Sequence, residues 1–319
     1  MLRVRFDTVQ ETGSLVHARG LVKRFGALDA VDGIDFDVER GEAFGFLGPN
    51  GAGKTSTMRM IGCISPPTGG ALRVLGLDPQ SDGAKIRARL GVVPQQDTLD
   101  LELSVRENIV IYGRYFGLKR TELRERADRL LDFVQLAERA DDKVEPLSGG
   151  MKRRLTIARS LVNEPDLMLL DEPTTGLDPQ ARHVVWDRLY RLKQQGVTLI
   201  LTTHYMDEAE QLCDRLVVMD GGHIVAEGSP RELIRRYSTR EVVELRLASD
   251  GARDDAAQRI DGLAARIETL PDRLLLYTDD GDQTAHAVHE LGIAASSVLV
   301  RRSTLEDVFL HLTGRSLID

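Results

Sequence analysis

The spacing of apolar residues along the chain predicts strands first and then an alternation of strands and helices. Apolar residues alternate loosely between Leu15 and Val38, which predicts antiparallel strands with one solvent-exposed face. A short apolar strand, Ala43–Leu47, then runs into a glycine-rich turn, and residues 55–64 carry apolar residues at helical spacing. This part of the chain is therefore predicted to contain a strand, a turn and a helix in that order.

The middle of the chain has helical signals over residues 104–162. Ser104 and Glu107 form a capping box that starts a helix, Gly117 is predicted to end it, and Thr121 starts the next helix. We therefore expect an almost wholly helical subdomain, at about residues 97–165, that interrupts an α/β domain.

The second half of the chain returns to strands. Two continuous apolar runs, 167–170 and 197–201, flank a helix predicted over 179–195, a pattern typical of parallel strands covered on both faces. Residues 215–227, with a turn at Asp-Gly-Gly, predict a hairpin that closes this domain.

Short strands and helices alternate after Ser229, which predicts a small α+β unit of the split βαβ kind. Ser303 and Glu306 fit a capping box for a last helix. We expect two domains, residues 1–230 and 231–319.

Composition narrows the class of protein. The 319 residues are 42% hydrophobic, which is ample for buried cores, and 50 acidic against 42 basic residues disfavour a nucleic-acid backbone as the main partner. Cys63 and Cys213 are the only cysteines, which argues against a disulfide framework or a CxxC metal cluster. No stretch approaches the ~18 to 20 consecutive apolar residues of a membrane span, and no signal-peptide pattern is present. We expect a cytosolic chain unless a partner holds it at a membrane.

A phosphate-binding loop follows the strand that ends at Leu47. Residues 48–55 read Gly-Pro-Asn-Gly-Ala-Gly-Lys-Thr, so backbone N–H groups can converge on phosphate oxygens above a helix N-terminus. Lys54 would reach the β and γ phosphates, and Thr55 would offer its hydroxyl to Mg²⁺. The predicted phosphate-binding residues are Gly48, Pro49, Asn50, Gly51, Ala52, Gly53, Lys54, Thr55 and Ser56.

Two adjacent carboxylates end the apolar run at 167–170. Asp171 would hold Mg²⁺, directly or through water, because a hard cation prefers oxygen ligands. Glu172 would accept a proton from an attacking water as general base. The two carboxylates could instead only start a turn before Pro173, but a phosphate loop elsewhere in the chain makes that reading improbable.

Three further residues are candidates on weaker grounds. Gln95 follows an apolar strand and can both accept from a Mg²⁺-bound water and donate to a phosphate oxygen. His204 follows the strand over 197–203 and could contact the γ-phosphate, although a lone histidine is more often structural. Phe25 could stack on adenine, or it could equally be a core residue.

A short glycine motif indicates the family. Ser148, Gly149 and Gly150 lie at the predicted N-terminus of a helix rich in basic residues. The serine hydroxyl and the backbone N–H groups there favour the binding of an anion. Taken in chain order with the phosphate loop, Gln95, the two carboxylates, the turn 176–178 and the histidine, this motif makes residues 15–230 resemble the nucleotide-binding subunits of ATP-binding-cassette transporters. The resemblance implies a P-loop NTPase fold of α/β class, with a mixed sheet core, an antiparallel β segment and an α-helical subdomain.

The resemblance also implies an assembly. Each ATP, with Mg²⁺, would lie between the phosphate loop of one copy and the Ser148–Gly150 segment of a second copy in a head-to-tail homodimer. Asp178 would communicate across the interface, His204 would sense the γ-phosphate, and Gln95 would link the site to the helical subdomain that receives an integral membrane permease subunit. The chain would then be peripheral, at the cytoplasmic face of the bacterial inner membrane.

A narrower resemblance concerns residues 147–155, 181–186 and 305–314, which look like the ATP-binding subunit of bacterial nodulation-factor exporters. This resemblance implies that a separate membrane subunit moves a lipo-chitooligosaccharide outward. Drug or lipid exporters of the daunorubicin-resistance type share much of the pattern. Two residues depart from the wider family, because Met151 stands where glutamine is common and Phe25 stands where tyrosine is common.

Two functions other than transport use the same nucleotide-binding motifs. A soluble cassette ATPase acting on DNA or ribosomes usually carries a second cassette, a long coiled coil or a zinc hook, and this sequence has none of those patterns. A regulator that senses ATP without hydrolysing it has no need of the general base at Glu172. We therefore expect an ATP-hydrolysing exporter subunit with no nucleic-acid partner.

Overall fold

A computed structural model describes residues 13–247 and 250–314, except for the side chains of residues 250–254. The chain forms two compact units, with the division between Glu227 and Gly228. In the part of the chain that the structure describes, no helix combines the length and the apolar character needed to cross a bilayer.

The first unit combines strands and helices, and the elements that the sequence predicts occur in the predicted order. Its strands are β1 (Ser14–Phe25), β2 (Leu28–Glu39), β3 (Ala43–Leu47), β4 (Gly69–Val74), β5 (Leu90–Val93), β6 (Leu167–Asp171), β7 (Thr198–Thr203), β8 (Arg215–Asp220) and β9 (His223–Gly228). Its helices are α1 (Lys54–Ile61), α2 (Gly83–Arg87), α3 (Val105–Arg114), α4 (Arg120–Phe133), α5 (Gly149–Ser160), α6 (Pro179–Gln194) and α7 (Met206–Leu212).

A six-stranded sheet with the order β5-β6-β7-β3-β8-β9 forms the centre of this unit. The β3–β7 and β6–β7 pairs are parallel. Residues 167–170 of β6 and all residues of β7 are buried, as predicted for strands covered on both faces, and all residues of β3 are buried too. Leu47 is in register with Thr203, and Asp171 is in register with Thr202. The carboxyl ends of three neighbouring strands therefore meet at one edge of the sheet.

A second sheet, with the order β2-β1-β4, covers one side of the first. Its strands pair antiparallel, which confirms the prediction from residues 15–38, and β4 joins as a third strand that the apolar pattern did not indicate. Phe36 of β2 packs against Phe44 and Phe46 of β3, with ring centroids 6.0 and 5.1 Å apart. This aromatic cluster joins the two sheets in one core with the buried face of α1.

The helical subdomain contains α3, α4 and α5. The capping box of Ser104 and Glu107 is confirmed at the start of α3. The predicted break near Gly117 is confirmed within three residues, since α3 ends at Arg114, Gly117 lies in the turn that follows and α4 begins at Arg120. The expectation of an almost wholly helical subdomain was wrong for residues 134–148. Residues 134–148 contain only one 3-10 turn, although several of their apolar side chains are buried at spacings that also fit a helix. Apolar spacing alone could not distinguish the two conformations.

The second unit is the predicted split βαβ arrangement. Its strands are β10 (Glu241–Leu247), β11 (Arg266–Thr269), β12 (Leu274–Thr278) and β13 (Ala295–Arg302), and its helices are α8 (Pro230–Tyr237), α9 (Asp250–Arg259), α10 (Gly281–Glu290) and α11 (Leu305–Thr313). The sheet order is β11-β12-β10-β13 and every pair is antiparallel. Val243 and Leu245 of β10 face a core with α9 and α10, and Val242 faces the opposite side.

The cap of α11 differs from the prediction by one residue. Thr304, and not Ser303, is the N-cap, and its backbone N–H donates to Asp307 Oδ2 at 2.8 Å. Asp307 is 1% exposed and accepts from both terminal nitrogens of Arg301 at 2.7 and 2.9 Å, whereas Glu306 is exposed. A cap at Ser303 with Glu306 and a cap at Thr304 with Asp307 both fit the sequence, and the buried contact with Arg301 favours the one that uses Asp307.

This contact predicts different stabilities for two neighbouring variants. Asp307→Ala removes the acceptor of both terminal nitrogens of Arg301 and of the Thr304 N–H, while Arg301 Nε keeps its contact with Glu244, so we expect the free energy of unfolding to fall by about 1 to 3 kcal/mol. Glu306→Ala removes an exposed side chain and should change it by less than about 0.5 kcal/mol. Urea unfolding followed by circular dichroism measures both, and equal losses would contradict the assignment of the cap.

Candidate active site

The phosphate loop occupies residues 48–53, between the end of β3 and the start of α1. Gly53 is the N-cap of α1 and has a left-handed φ of 102°. A Cβ atom on Gly48 would lie 2.3 Å from the carbonyl oxygen of Met219, and one on Gly53 would lie 2.4 Å from that of Ala30. Only glycine fits at both positions, so the loop stays close to the sheet and its N–H groups gather at the helix N-terminus.

Lys54 is buried beneath this loop. Its Nζ donates to the carbonyl oxygens of Gly48 at 2.7 Å and Pro49 at 3.0 Å. Burial lowers the pKa of Lys54, and the negative charges of Glu172 and Asp171 oppose that shift. The amino group therefore lies in the field of both carboxylates as well as within the loop.

Asp171 ends β6 beside two hydroxyl groups. Its Oδ1 accepts from Thr202 Oγ1 at 2.5 Å and from Thr55 Oγ1 at 3.4 Å. Among the described residues, no group of three or more His, Cys, Asp or Glu side chains is arranged to hold a metal ion. Thr55 and Asp171 fit Mg²⁺, which binds one or two protein oxygens and completes its shell with phosphate oxygens and water.

Glu172 follows Asp171 in an unusual backbone conformation. Its φ of 45° lies in the left-handed region, which costs about 1 to 3 kcal/mol for a residue with a side chain. Its N–H donates to both the carbonyl and the hydroxyl oxygen of Thr202, each at 3.1 Å. The strained conformation is therefore held by the neighbouring strand.

Glu172 is 8% exposed, and its carboxylate has three neighbours. Oε2 accepts from Gln95 Nε2 and from Thr175 Oγ1, each at 3.0 Å. Oε1 lies 3.3 Å from His204 Nδ1, a contact at ion-pair distance without hydrogen-bond alignment. The structure therefore brings together Gln95, Glu172 and His204, the three residues predicted to be catalytic.

The neighbours of Glu172 keep its side chain ionised. The contact with His204 is the main cause that lowers the pKa of Glu172, burial opposes it, and Thr175 and Lys54 lower it further. A carboxylate that is ionised at neutral pH can accept a proton from water.

Phe25 is the last residue of β1. Its side chain is 50% exposed, and Lys23 Nζ lies 4.9 Å from the ring centroid. The exposed ring is not the core residue that the sequence left open as an alternative.

Ser148, Gly149, Gly150 and Asp178 form a separate group. Ser148 is the N-cap of α5, Asp178 is the N-cap of α6, and a Cβ on Gly150 would lie 2.7 Å from Ala181 Cβ. Ser148, Gly149 and Asp178 are exposed. In the described residues, the hydrogen bonds and close contacts given for this group run to neighbouring residues of the two helix starts, among them 151, 152, 177, 181 and 182, and none of them reaches the phosphate loop.

Two residues that hold the carboxylates were not predicted. Thr202 bonds both Asp171 and Glu172, and its hydroxyl at the end of an apolar strand next to β6 was an available signal. Arg153 donates to backbone carbonyl oxygens around Glu172 from within a run of basic residues, where the sequence gives no such signal.

Comparison with family models identifies both units. Residues 31–175 match the model described as ABC transporter. Residues 252–314 match the model described as the C-terminal domain of the nodulation factor export protein NodI.

Relatives with curated names align over most of the chain. The Nod factor export ATP-binding protein I of Ralstonia nicotianae is 45% identical over 96% of this chain and 95% of its own length. The protein of the same name from Paraburkholderia xenovorans is 48% identical over 93% of this chain and 96% of its own length.

The solved structures match about two thirds of this chain, a length close to that of the first unit. A dimeric ATP-binding cassette in a post-hydrolysis state, bound to ADP and Pi, has a TM-score of 0.62 and 28% identity over 67% of this chain and 98% of its own. The cbiO1 subunit of a Clostridium perfringens ABC transporter complex has a TM-score of 0.65 and 29% identity over 70% of this chain and 92% of its own.

The contact between His204 and Glu172 predicts a pH effect. Without the ring, the pKa of Glu172 should rise, so the acidic limb of the pH profile of kcat/KM should move to higher pH in His204→Ala. The control is His223→Ala, which removes an exposed ring 3.6 Å from Asp32. Steady-state kinetics between pH 4 and 8 measure the limb, and an unchanged limb in His204→Ala would contradict this cause of the shift.

Proposed function

This chain belongs to the family of ATP-binding-cassette transporter proteins, as the ATP-binding and ATP-hydrolysing subunit of an exporter, and we propose that Glu172 is its general base. The observation that supports this role is the buried carboxylate held between Gln95, Thr175 and His204 at the sheet edge beside the phosphate loop. A general base must be ionised and must lie where a water can approach the phosphate, and the lowered pKa of Glu172 and its position at this edge of the sheet support the proposed role.

The remaining site residues would bind different parts of the nucleotide and its magnesium ion. The phosphate loop and Ser56 would bind the phosphates through N–H groups and Lys54, and Phe25 would stack on the adenine. Thr55, Asp171 and Gln95 would hold Mg²⁺, which neutralises phosphate charge when it is bound. His204 would keep Glu172 ionised and contact the γ-phosphate.

We propose that a second copy of the chain completes each site. Ser148, Gly149 and Asp178 are exposed at the starts of α5 and α6, and the contacts of their group do not reach the phosphate loop of the same chain. A helix N-terminus with free N–H groups is suited to an anion, so the Ser148–Gly150 segment would bind the phosphates held by the partner copy.

The export function requires a membrane component. We propose that an integral permease subunit binds the helical subdomain and holds this chain at the cytoplasmic face of the bacterial inner membrane. ATP binding would close the pair of cassettes and hydrolysis would reopen it, because nucleotide has different affinities for the two states. Support for this arrangement comes from the names of the relatives, which are export ATP-binding proteins.

We propose a lipo-chitooligosaccharide nodulation factor as the exported cargo. The support is the name that the relatives share together with the match of residues 252–314 to the C-terminal domain of the same export protein. No residue of this chain identifies the cargo, since the permease would bind it.

Substitution of Glu172 tests the base. We expect Glu172→Gln to bind ATP with unchanged affinity while hydrolysis falls at least about a hundredfold, because the amide cannot accept the proton. Phosphate release measures hydrolysis and calorimetry measures binding. Glu138→Gln, an exposed change on the 3-10 turn, is the matched control, and normal turnover by Glu172→Gln would overturn the assignment.

Substitution of Lys54 should act on binding itself. Lys54→Ala removes the one cationic side chain of residues 48–56, so we expect calorimetry to show a weaker affinity for ATP. Lys85→Ala removes an exposed lysine that pairs with Asp82 and should leave the affinity unchanged. Equal affinities for Lys54→Ala and the unchanged protein would contradict the role of this lysine.

The cargo can be tested in membrane vesicles that contain this chain and its co-purified permease. We expect inside-out vesicles to accumulate a radiolabelled lipo-chitooligosaccharide when ATP is supplied, and vesicles with Glu172→Gln to accumulate none. Accumulation of daunorubicin in place of the oligosaccharide would contradict the proposed cargo and leave the ATPase assignment intact.

A further inference from the structure

Arg153 is a buried arginine whose partners are all backbone carbonyl groups. The residue lies in α5 and is 5% exposed. Its Nε donates to Pro173 at 2.6 Å, Nη1 donates to Pro94 at 2.5 Å, and Nη2 donates to Asp171 and to Glu172, each at 3.0 Å. One guanidinium therefore joins α5 to the segments that follow β5 and β6.

These acceptors border the proposed catalytic groups. Pro94 precedes Gln95, and the other three carbonyls belong to the consecutive residues 171–173. The planar guanidinium has its donors in a fixed fork, so the four acceptors must keep their relative positions to bind it together. Asp171, Glu172 and Gln95 are thereby tied to one rigid group.

The backbone of Glu172 needs this support. A left-handed φ of 45° persists only where the surroundings hold it. Thr202 binds the N–H of Glu172 from one side, and Arg153 binds its C=O from the other. Together the two contacts fix the direction in which the side chain leaves the backbone, toward Gln95 and His204.

We propose that Arg153 is a positioning residue that orients the Glu172 carboxylate and makes that orientation depend on the position of α5. The inference rests on the proposed role of Glu172 as general base. Because α5 begins next to Ser148, a shift of this segment when nucleotide binds would be transmitted through Arg153 to the carbonyls of residues 171–173.

A second arginine of α5 supports the same connection. Arg159 is buried and donates through Nη1 to the carbonyl oxygen of Thr98 at 2.6 Å. Arg153 and Arg159 therefore hold the two ends of the segment 94–98, which contains Gln95. Both ends of this segment would follow α5 when the helix moves.

The adjacent Arg154 provides a matched control. It lies on the same helix, and its Nη1 donates to the carbonyl oxygens of Val134 and Gln135, which are in the helical subdomain and away from Glu172. Arg154→Met thus removes a guanidinium and two carbonyl contacts from α5 and leaves the contacts of residues 171–173 in place.

We expect Arg153→Met to lower kcat at least about tenfold while the dissociation constant for ATP changes by less than about threefold. Arg153→Lys should lower kcat nearly as much, because an ammonium cannot reproduce the planar fork. Arg154→Met should keep kcat within about twofold. Calorimetry measures ATP binding, phosphate release measures turnover, and circular dichroism measures folding. If Arg153→Met does not fold, Arg153→Lys is used to test the proposal.

A double substitution separates positioning from general destabilisation. If Arg153 acts through Glu172, adding Arg153→Met to Glu172→Gln should lower the residual hydrolysis by less than about twofold. Turnover equal to the unchanged protein in Arg153→Met and Arg153→Lys would overturn the proposal, and so would the same fold loss with and without Glu172→Gln. Normal turnover in Glu172→Gln alone would instead overturn the general base.

Discussion

The site depends on how the backbone of one residue, Glu172, is held just beyond the end of β6. Its left-handed conformation is supported by Thr202 on the N–H side and by Arg153 on the C=O side. The carboxylate is then fixed by Gln95 and Thr175, and its contact with His204 lowers its pKa. A base on a strand end without these contacts would be free to turn away from the phosphate.

The order of the central strands supplies these partners. Because β3, β7 and β6 are parallel neighbours, the phosphate loop, His204 and the two carboxylates all follow strand ends at the same edge. The Ser148–Gly150 segment starts a helix of a different subdomain, and its contacts, among them those with residues 151, 152, 177 and 181, do not reach the phosphate loop. The fold therefore divides the predicted nucleotide-binding residues into two groups, which agrees with our proposal that two copies complete each site.

The sequence predicted those features that depend on local chemistry. The phosphate loop was predicted from its glycine-rich pattern, and Asp171, Glu172, Gln95 and His204 were predicted from their places at the ends of apolar strands. The structure brings these residues to one edge of the sheet. Arg153 was missed because its acceptors are backbone carbonyls of distant segments, which no residue type reveals. The cap at Thr304 and the loop 134–148 were misjudged because two conformations fit one pattern, and only burial against other segments decides between them.

The central claim is that ATP is held between two copies of this chain. Light scattering after size-exclusion chromatography tests it most directly, with the Glu172→Gln variant in saturating ATP and magnesium so that bound nucleotide persists. The account predicts a mass of 35.4 kDa per particle without nucleotide and twice that mass with it. A particle that keeps the mass of one chain under saturating ATP and magnesium would contradict the account.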